Sequence, residues 1–466
     1  MRKWLPLLTV CLGTFMLLID VTIVNVALPE MRTELDASFG ALQWVVDGYA
    51  LAMAALMLGA GSIADLVGHR RTYLTGLGLF ATASLVCGLA PNPQVLIAAR
   101  IVQGVGAATM SCTTFALLNA AYSGRDRGTA YGIWGAVAGA SSAIGPIVGG
   151  ILTEVASWRW IFFVNLPFSV LAIALCLWVL TEDERAQRNR IDVPGMVVFT
   201  ASAATATYAL IHANEHGWSN AATRWLLLGA VVALAAFLLI EKRSRQPILD
   251  LALLRDRSFV GVLAAGAMLF FAAFAALMYT QIWMQSALGL SPIAAGAVGL
   301  PLSLMAFLVS GLLGRYLHGD RPARVIGTGL AAVGFGGIIG ALLVHGEASW
   351  PALIPGFLMV GAGVGLATAT LSSAAVAAVP WERAGMATGA LNTAQQLTFA
   401  LGIATLGGLF THPDTPIAGV QLTLGVSGVV GLVGAILVPM LMRPRAGYKP
   451  RPWARTGQEA ASSSSQ

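Results

Sequence analysis

Apolar runs recur along this chain at about twenty residues each, the length that a helix needs to cross a hydrocarbon core ~30 Å thick. Hydrophobic residues make up 57% of the chain and charged residues only 10%, whereas soluble proteins carry roughly 25% charged residues. Because so few charges cannot cover a water-facing surface, the pattern predicts an all-α membrane protein. The runs predict fourteen transmembrane helices, over residues 6–28, 43–66, 73–90, 94–118, 129–153, 160–181, 194–213, 223–241, 258–285, 292–314, 324–344, 350–378, 386–410 and 418–442.

The positions of the basic residues predict how these helices are oriented. With the N-terminus in the cytoplasm, 23 of the 27 Lys and Arg residues fall in cytoplasmic loops and termini, and only Arg32, Arg159 and Arg224 fall outside. Cytoplasmic loops of membrane proteins carry an excess of Lys and Arg. We therefore expect a multi-pass protein of the cell (plasma) membrane with both termini in the cytoplasm. The net charge of +6 then reflects these loops, and no nucleic-acid partner is expected.

A weak internal repeat suggests how the chain is divided. Gly104-Val-Gly-Ala-Ala-Thr109 in the fourth predicted helix is echoed by Gly363-Val-Gly-Leu-Ala-Thr368 in the twelfth. This shift of eight helices fits two six-helix halves separated by an inserted pair, and transporters built from such repeats bind substrate at the interface of the halves. The expected parts are a first bundle at 1–185, the inserted seventh and eighth helices with their linkers at 186–250, a second bundle at 251–442, and a disordered cytoplasmic tail at 443–466.

The sequence offers nothing that indicates an enzyme or an ATP-driven pump. It contains no G-x-x-x-x-G-K-[ST] motif, and no loop is long enough for an ATPase domain. The four cysteines fall inside predicted spans without metal-ligand spacing. We expect no enzymatic activity, no metal and no cofactor, so active transport would have to draw on an ion gradient.

Three charged residues lie deep inside apolar stretches of the predicted spans: Asp20, Asp47 and Arg100. A charge at the bilayer centre costs roughly 2.5–3.5 kcal/mol on insertion scales, and such residues usually serve a function. Counted inward from the outer boundary, all three fall at similar depths in the first half. A carboxyl group whose contact with water or with an Arg changes during transport can bind and release a proton. We predict that these three residues couple transport to protons. The alternatives are a static ion pair that joins helices and, for Asp47, contact with a cationic substrate.

Four sequence motifs resemble signatures of the major facilitator superfamily, and within it of the fourteen-helix drug:proton antiporters (the EmrB/QacA type). The resemblance covers residues 10–442 and implies two six-helix bundles plus an inserted helix pair, with proton-driven export of drugs. Asp20 and Arg100 match positions that the family ties to coupling. The motifs are Leu18-Ile-Asp20-Val-Thr22-Ile-Val-Asn25-Val-Ala-Leu-Pro29, Gly61-Ser-Ile-Ala-Asp65-Leu-Val-Gly68-His-Arg70-Arg71, Ala99-Arg100-Ile-Val-Gln103-Gly104 and Gly139-Ala-Ser-Ser-Ala-Ile-Gly145-Pro146-Ile-Val-Gly149-Gly150.

Two of these motifs imply conformational roles. In the second motif, a carboxylate at the cytoplasmic end of a helix can face the N-terminus of a neighbouring helix. The resemblance implies that this motif forms a latch between the halves. The alternative is that its charged residues only determine the orientation of the helices in the membrane. In the fourth motif, glycines favour close packing of the helix and a proline favours a bend in it. The resemblance implies that the motif belongs to exporters. The alternative is ordinary close helix packing that says nothing about the direction of transport. The expected latch residues are Gly61, Asp65, Gly68, Arg70 and Arg71. The expected antiporter-motif residues are Gly139, Gly145, Pro146, Gly149 and Gly150.

The second half contributes polar amides in place of charges, which indicates an amphipathic small molecule as the substrate. Amides on predicted inner helices can bind it beside flexible methionines. The expected substrate-binding residues are Asn25, Gln103, Gln281, Gln285, Asn392, Gln395 and Gln396. The expected function is proton-coupled antiport of amphipathic drugs or antibiotics by a monomer in the lipid bilayer. A proton-linked symporter or facilitator that imports a small metabolite, and a non-transporting membrane sensor, are the alternatives.

Overall fold

The computed structural model describes residues 2–180, 192–244, 247–317, 322–345, 350–379, 384–411 and 415–442, and within them every regular element is helical. The first half contains α1 (Leu5–Glu34), α2 (Phe39–Val67), α3 (His69–Gly88), α4 (Pro93–Ala121), α5 (Gly124–Val155), α6 (Trp160–Phe163) and α7 (Asn165–Val179). Two helices follow, α8 (Val193–His216) and α9 (Ala221–Arg243). The second half contains α10 (Arg257–Leu269), α11 (Ala276–Ser286), α12 (Pro292–Val298), α13 (Leu300–Leu317), α14 (Pro322–Leu343), α15 (Ile354–Ala377), α16 (Ala384–Thr411) and α17 (Pro416–Leu441).

The prediction of an all-helical membrane protein is confirmed. Among the described residues, eleven helical segments are long and apolar enough to cross a membrane. Helices α3 and α16 lie outside this set, since α3 begins with His69 and two arginines and α16 carries several amides, and of α5 only the shorter apolar part Ile144–Val155 is found among the described residues. The number fourteen therefore stays a prediction, although each predicted span overlaps a helix of the structure.

Three predicted spans are interrupted in the structure. The span at 160–181 is divided into α6 and α7 at Val164, and the span at 292–314 is divided into α12 and α13 at Gly299. In the span at 258–285, a π-helical turn, Phe270–Ala275, joins α10 to α11. Apolar length alone cannot reveal such breaks, because the local hydrogen-bond pattern changes while the side chains stay apolar.

Polar residues at helix starts set several boundaries. Asn92 accepts a hydrogen bond from the backbone N–H of Val95 and is followed by Pro93 at the first position of α4. Ser38 accepts from Ala41 at the start of α2. Such caps satisfy backbone N–H groups that have no partner inside the helix.

The two halves pack their helices in the same order. In the first half α1 packs on α5 and α7, α2 on α4, and α3 on α4 and α7; in the second half α10 packs on α16 and α17, α13 on α15, and α14 on α15 and α17. The boundaries expected at 185, 250 and 442 remain predictions, and the tail at 443–466 lies outside the described residues.

Because successive long helices run in alternate directions, the bundle has two faces. We call the face at which α1 begins the near face and the face at which α1 ends the far face. The halves meet along two seams, one between α2 and α16 and one between α5 and α12–α13. Helix α8 packs on both α2 and α16, and α9 packs on α8.

Candidate functional site

A buried ion pair joins α1 to α4. Arg100 is 1% exposed and Asp20 is fully buried, and Arg100 Nη1 lies 2.5 Å from Asp20 Oδ2. Arg100 also donates from Nε to the backbone carbonyl of Val45 on α2, at 3.0 Å. The guanidinium lies over the ring of Tyr49, 4.3 Å from its centroid, a favourable cation–π arrangement.

Three neutral polar side chains complete this arrangement. Gln103, one helical turn after Arg100, accepts from Arg100 Nη1 at 2.6 Å and donates to Asp20 Oδ1 at 2.9 Å. Asn165, the first residue of α7, donates to Asp20 Oδ1 at 3.1 Å. The hydroxyl of Ser84 on α3 accepts from Gln103 at 2.9 Å. We call these five residues the ion-pair cluster.

The ion-pair cluster satisfies its own charges. Asp20 accepts hydrogen bonds from Arg100, Gln103 and Asn165, all of them buried. A buried charge is tolerable when it is paired and hydrogen-bonded in this way, and removing one partner is strongly destabilising. The cluster therefore holds α1, α3, α4 and α7 together around one fixed charge pair.

Asp47 lies apart from the ion-pair cluster. It is fully buried on α2, and among the described residues neither of its carboxylate oxygens has a hydrogen-bond partner. Gln43, one helical turn before it on α2, contacts Tyr279 on α11 of the second half. The structure thus brings Asp20 and Arg100 into contact and leaves Asp47 alone at the seam between the halves.

Cross-half hydrogen bonds concentrate toward the far face. Gln43, one turn before Asp47, donates to the Tyr279 hydroxyl at 2.9 Å and to the carbonyl of Ile403 on α16 at 3.1 Å. Gln285 donates to the carbonyl of Val26 at 2.8 Å, and Glu154 accepts from the backbone of Ile293 at 3.2 Å. One further bond lies midway along the seam helices, from Thr393 to the carbonyl of Ala54 at 3.0 Å.

Glycines near the two ends of α5 have different surroundings. Side-chain atoms built onto Gly132 and Gly135 of α5, or onto Gly311 of α13, would meet nothing within 4 Å. Farther along α5, an added Cβ on Gly150 would lie 2.6 Å from the carbonyl oxygen of Pro292. Close backbone contact between α5 and α12 is therefore found in the far part of this seam.

The predicted substrate residues fall into several environments. Gln103 belongs to the ion-pair cluster, and Gln285 bonds across the halves. Asn25 Oδ1 and Gln281 Oε1 are buried without a hydrogen-bond partner in the described part of the chain. The amides of α16 are partly buried: Asn392, Gln395 and Gln396.

One predicted latch residue, Arg70, contacts the first half. Arg70 donates to the carbonyls of Cys176 and Leu177, at 3.4 and 2.9 Å, near the end of α7. A cation there is favoured by the unpaired carbonyls of the last helical turn. Gly68 has φ 102° between α2 and α3, in the region that favours glycine. The side chain of Asp65 and the surroundings of Gly61 lie outside what the structure describes. Arg71 also interacts with another group of the protein. The latch therefore stays a prediction.

The antiporter-motif glycines pack against backbone. An added Cβ on Gly145 would collide with Thr22 of α1, and one on Gly149 would lie 2.9 Å from the carbonyl oxygen of Ile23. The carbonyl of Pro146 closely approaches Gly296 of α12. The surroundings of Gly139 are not described. These glycines thus let α5 touch both α1 and the second half.

Several partners of the site were absent from the sequence prediction. Asn165 and Ser84 were detectable in principle as polar residues inside apolar stretches. Gln43, Tyr279 and Thr393 carried no comparable signal, because their role depends on contacts between segments far apart in the chain.

Comparisons with known proteins agree with this architecture. The sequence model of the Major Facilitator Superfamily matches residues 10–403. The chain is 38% identical over 406 residues to multidrug resistance protein Stp of Mycobacterium tuberculosis (strain CDC 1551 / Oshkosh), covering 86% of this chain and 75% of that one. It is 33% identical over 468 residues to puromycin resistance protein pur8 of Streptomyces alboniger, covering 95% and 92%. It is 32% identical over 412 residues to the tetracenomycin C resistance and export protein of Streptomyces glaucescens, covering 87% and 76%. A solved structure of the human organic anion transporter MFSD10 (TETRAN) has a TM-score of 0.63 at 14% identity, covering 94% of this chain and 99% of that one, which shows a shared fold.

Proposed function

Since the chain belongs to the major facilitator superfamily, we propose that it is a proton-coupled antiporter that exports amphipathic drugs or antibiotics across the cell membrane by alternating access. Relatives that match most of its length are named for multidrug resistance, puromycin resistance and tetracenomycin C export. Because each of these names refers to resistance to an organic compound or to its export, they support export of an organic small molecule.

The proposed topology has fourteen transmembrane helices, with α1–α7 and α10–α17 as the two six-helix bundles and α8–α9 as the inserted pair. The distribution of basic residues supports a cytoplasmic near face. In this orientation the contacts at the far face would close the protein toward the outside, and substrate would bind from inside. Opening at the far face would then release it outside.

The observation that carries the proton proposal is the unpartnered, buried carboxyl group of Asp47 beside the closed far part of the seam. A neutral acid can be buried there at far lower cost than a carboxylate. Closing the seam over Asp47 would therefore favour the protonated side chain. A proton taken up from outside while the far face is open would be carried inward when that face closes.

Asp20 and Arg100 would serve coupling differently. Their charges are already paired and hydrogen-bonded, so we assign the ion-pair cluster the role of a fixed polar anchor among the helices that must move together. Substrate would contact the unpartnered oxygens of Asn25 and Gln281, with the partly buried amides of α16 on the facing side. The proposed substrate is amphipathic, since these groups are neutral and their surroundings are apolar.

Inside-out membrane vesicles with an imposed proton gradient test this function. Puromycin should discharge the gradient in vesicles that contain the wild-type protein, and Asp47→Asn should abolish that response while the protein stays folded. Asp36→Asn is the matched control, because Asp36 is an exposed loop residue with φ 47°, a conformation that Asn tolerates. Proton movement that survives in Asp47→Asn would refute the assignment of Asp47. Drug flux that ignores the gradient would refute antiport, and accumulation in the opposite direction would favour the import alternative.

A further inference from the structure

Two histidines lie four residues apart at the end of α8, at the far face. His212 is partly buried, and His216, the last residue of the helix, is exposed. Residues at this spacing lie on one face of a helix, and the two imidazole rings stack with centroids 4.2 Å apart and planes 13° apart. Two histidines placed in this way on a helix can bind one metal ion together.

The separation of the two rings suits a shared ion. Two imidazole nitrogens bonded to one Zn²⁺ at about 2 Å each lie at most about 4 Å apart. Stacked rings with centroids 4.2 Å apart hold their nitrogens near this separation. Because His216 is exposed, its ring can turn until a nitrogen of each ring is aimed at the same point.

The hydrogen bonds of Thr223 determine which nitrogen of His212 is free. Thr223 is buried in the first turn of α9, its hydroxyl lies 3.0 Å from His212 Nδ1, and it donates to the carbonyl of Gly217 at 3.2 Å. A hydroxyl has one hydrogen, so toward His212 this group accepts. We therefore assign the proton of His212 to Nδ1, which leaves on Nε2 the lone pair that a metal requires. Histidines that bind metals are commonly oriented by such a bond from their other nitrogen.

The surroundings leave room for an ion and its water ligands. A cavity of about 470 Å³ lies between α8 and α9, and His212, Tyr208 and Trp225 are among the residues that line it. The carbonyls at the C-terminal end of a helix also favour a cation. In the part of the chain that the structure describes, no three His, Cys, Asp or Glu side chains are placed to hold one metal ion. The remaining ligands would therefore be water.

We propose that His212 and His216 form a binding site at the far face for a transition-metal ion such as Zn²⁺, and that an ion bound there holds the seam between α2 and α16 closed. Imidazole nitrogens suit Zn²⁺, Cu²⁺ and Ni²⁺, whereas Mg²⁺ and Ca²⁺ prefer oxygen ligands. The expectation that the protein holds no metal rested on the spacing of the cysteines, and this site uses histidines instead.

The residues between the two histidines connect the site to both halves. Asn214 donates to the carbonyl of Ala404 on α16 at 2.6 Å. The carboxylate of Glu215 fills the space in front of Gly40 on α2, where an added Cβ would collide with it. An ion that links His212 to His216 keeps this turn helical and so keeps both contacts in place. Bound metal should therefore slow opening at the far face. The effect on transport rests on the proposed function, whereas the site itself does not.

Metal binding can be measured without transport. Zn²⁺ is titrated calorimetrically into the purified full-length protein, which carries no polyhistidine tag. The wild-type protein should bind an ion that His216→Ala and His212→Asn fail to bind, and Cu²⁺ and Ni²⁺ but not Mg²⁺ should displace it. His212→Asn keeps an N–H group for Thr223, so it should unfold at the wild-type temperature. His345→Ala is the matched control, since it removes a histidine from a different helix end and should bind zinc normally. Wild-type affinity in both His212→Asn and His216→Ala would overturn the proposal.

Thr223 provides a test that leaves both ligands in place. Thr223→Val keeps the shape of the side chain and removes the hydroxyl that orients His212, so zinc affinity should fall by about tenfold. Thr223→Ser keeps the hydroxyl and should restore it. If Thr223→Val binds zinc as tightly as the wild-type protein, the assigned protonation of His212 is wrong.

The effect on the seam is tested in inside-out vesicles with Zn²⁺ on both sides of the membrane. Zinc should slow puromycin-driven proton movement by about tenfold in the wild-type protein, a change equivalent to ~1.4 kcal/mol, and should leave His216→Ala unaffected. Equal slowing of both proteins, or of neither, would overturn the role of the site in closing the seam. If the wild-type protein moves no protons even without zinc, the proposed function fails, and the calorimetric titration still decides whether the site exists.

Discussion

Gln43 of α2 donates a hydrogen bond to the hydroxyl of Tyr279 on α11, 2.9 Å away, and so joins the two halves one helical turn from Asp47. Both side chains are buried, and the Tyr279 hydroxyl in turn donates to the carbonyl of Ile403 on α16. The far part of the seam is therefore held by one shared polar contact among three helices. A contact of this kind must break whenever the far face opens.

Tyr279→Phe should shift the protein toward the form that is open at the far face. The substitution keeps the ring and removes the hydroxyl that lies between Gln43 and Ile403. Gln43 keeps its direct bond to the Ile403 carbonyl, so the loss amounts to a buried hydrogen bond worth about 1 kcal/mol. The rate at which a membrane-impermeant thiol reagent labels Leu42→Cys, a buried position at the far end of α2, should rise by roughly fivefold. An unchanged labelling rate would mean that this contact does not hold the seam.

The depth of Asp20, Asp47 and Arg100 could be predicted from the sequence, but their grouping could not. Depth follows from counting residues along a helix. Rotation about the helix axis follows from an apolar face opposite a polar one, and α1, α2 and α4 are apolar on nearly every side. The sequence therefore could not indicate that Asp20 pairs with Arg100 whereas Asp47 is buried without a hydrogen-bond partner among the described residues.

The helices themselves were largely predictable, because apolar length is a local property. The contacts that close the seam are not local: Gln43 and Tyr279 are 236 residues apart. Likewise, the repeat in the sequence suggested an inserted helix pair but carried no information on where that pair would pack. Only the folded chain shows α8 across the seam between α2 and α16, with no comparable helix contact at the other seam among the described residues.

Arg100→Met should destabilise the protein because it leaves Asp20 buried without its charged partner. Breaking a buried ion pair from one side costs about 3–5 kcal/mol, so thermal unfolding in detergent should occur at a clearly lower temperature. The double variant Asp20→Asn, Arg100→Met should recover most of this loss, since the remaining amide can still bond to Gln103 and Asn165. If the double variant is as unstable as the single one, the pair does not act as a unit.

Gln103→Leu and Gln281→Leu should separate structural amides from amides that bind substrate. Gln103 bridges Asp20, Arg100 and Ser84, so its loss should lower the free energy of unfolding by about 1–3 kcal/mol. Gln281 makes one long bond, 3.4 Å to the carbonyl of Ala295, and its Oε1 has no described partner. Gln281→Leu should therefore leave stability nearly unchanged and raise KM for puromycin. A substrate-specific change in KM for Gln103→Leu, at unchanged stability, would instead support its predicted role in substrate binding.

Gly150→Ala and Gly132→Ala should have opposite effects although both replace a glycine of α5. The added methyl group at Gly150 would lie 2.6 Å from the carbonyl oxygen of Pro292 and 2.7 Å from the Cα of Ile293. Both are backbone atoms that cannot turn aside as a side chain could, so the far part of the α5–α12 seam could not close. We expect slower transport and faster labelling of Leu42→Cys. At Gly132 the methyl group meets nothing, and alanine is favoured over glycine inside a helix by about 1 kcal/mol. Gly132→Ala should therefore unfold at the same or a higher temperature and transport at the wild-type rate. If the two variants behave alike, helix propensity and not contact between the halves decides the effect, and the close approach of α5 to α12 plays no part in closing the far face.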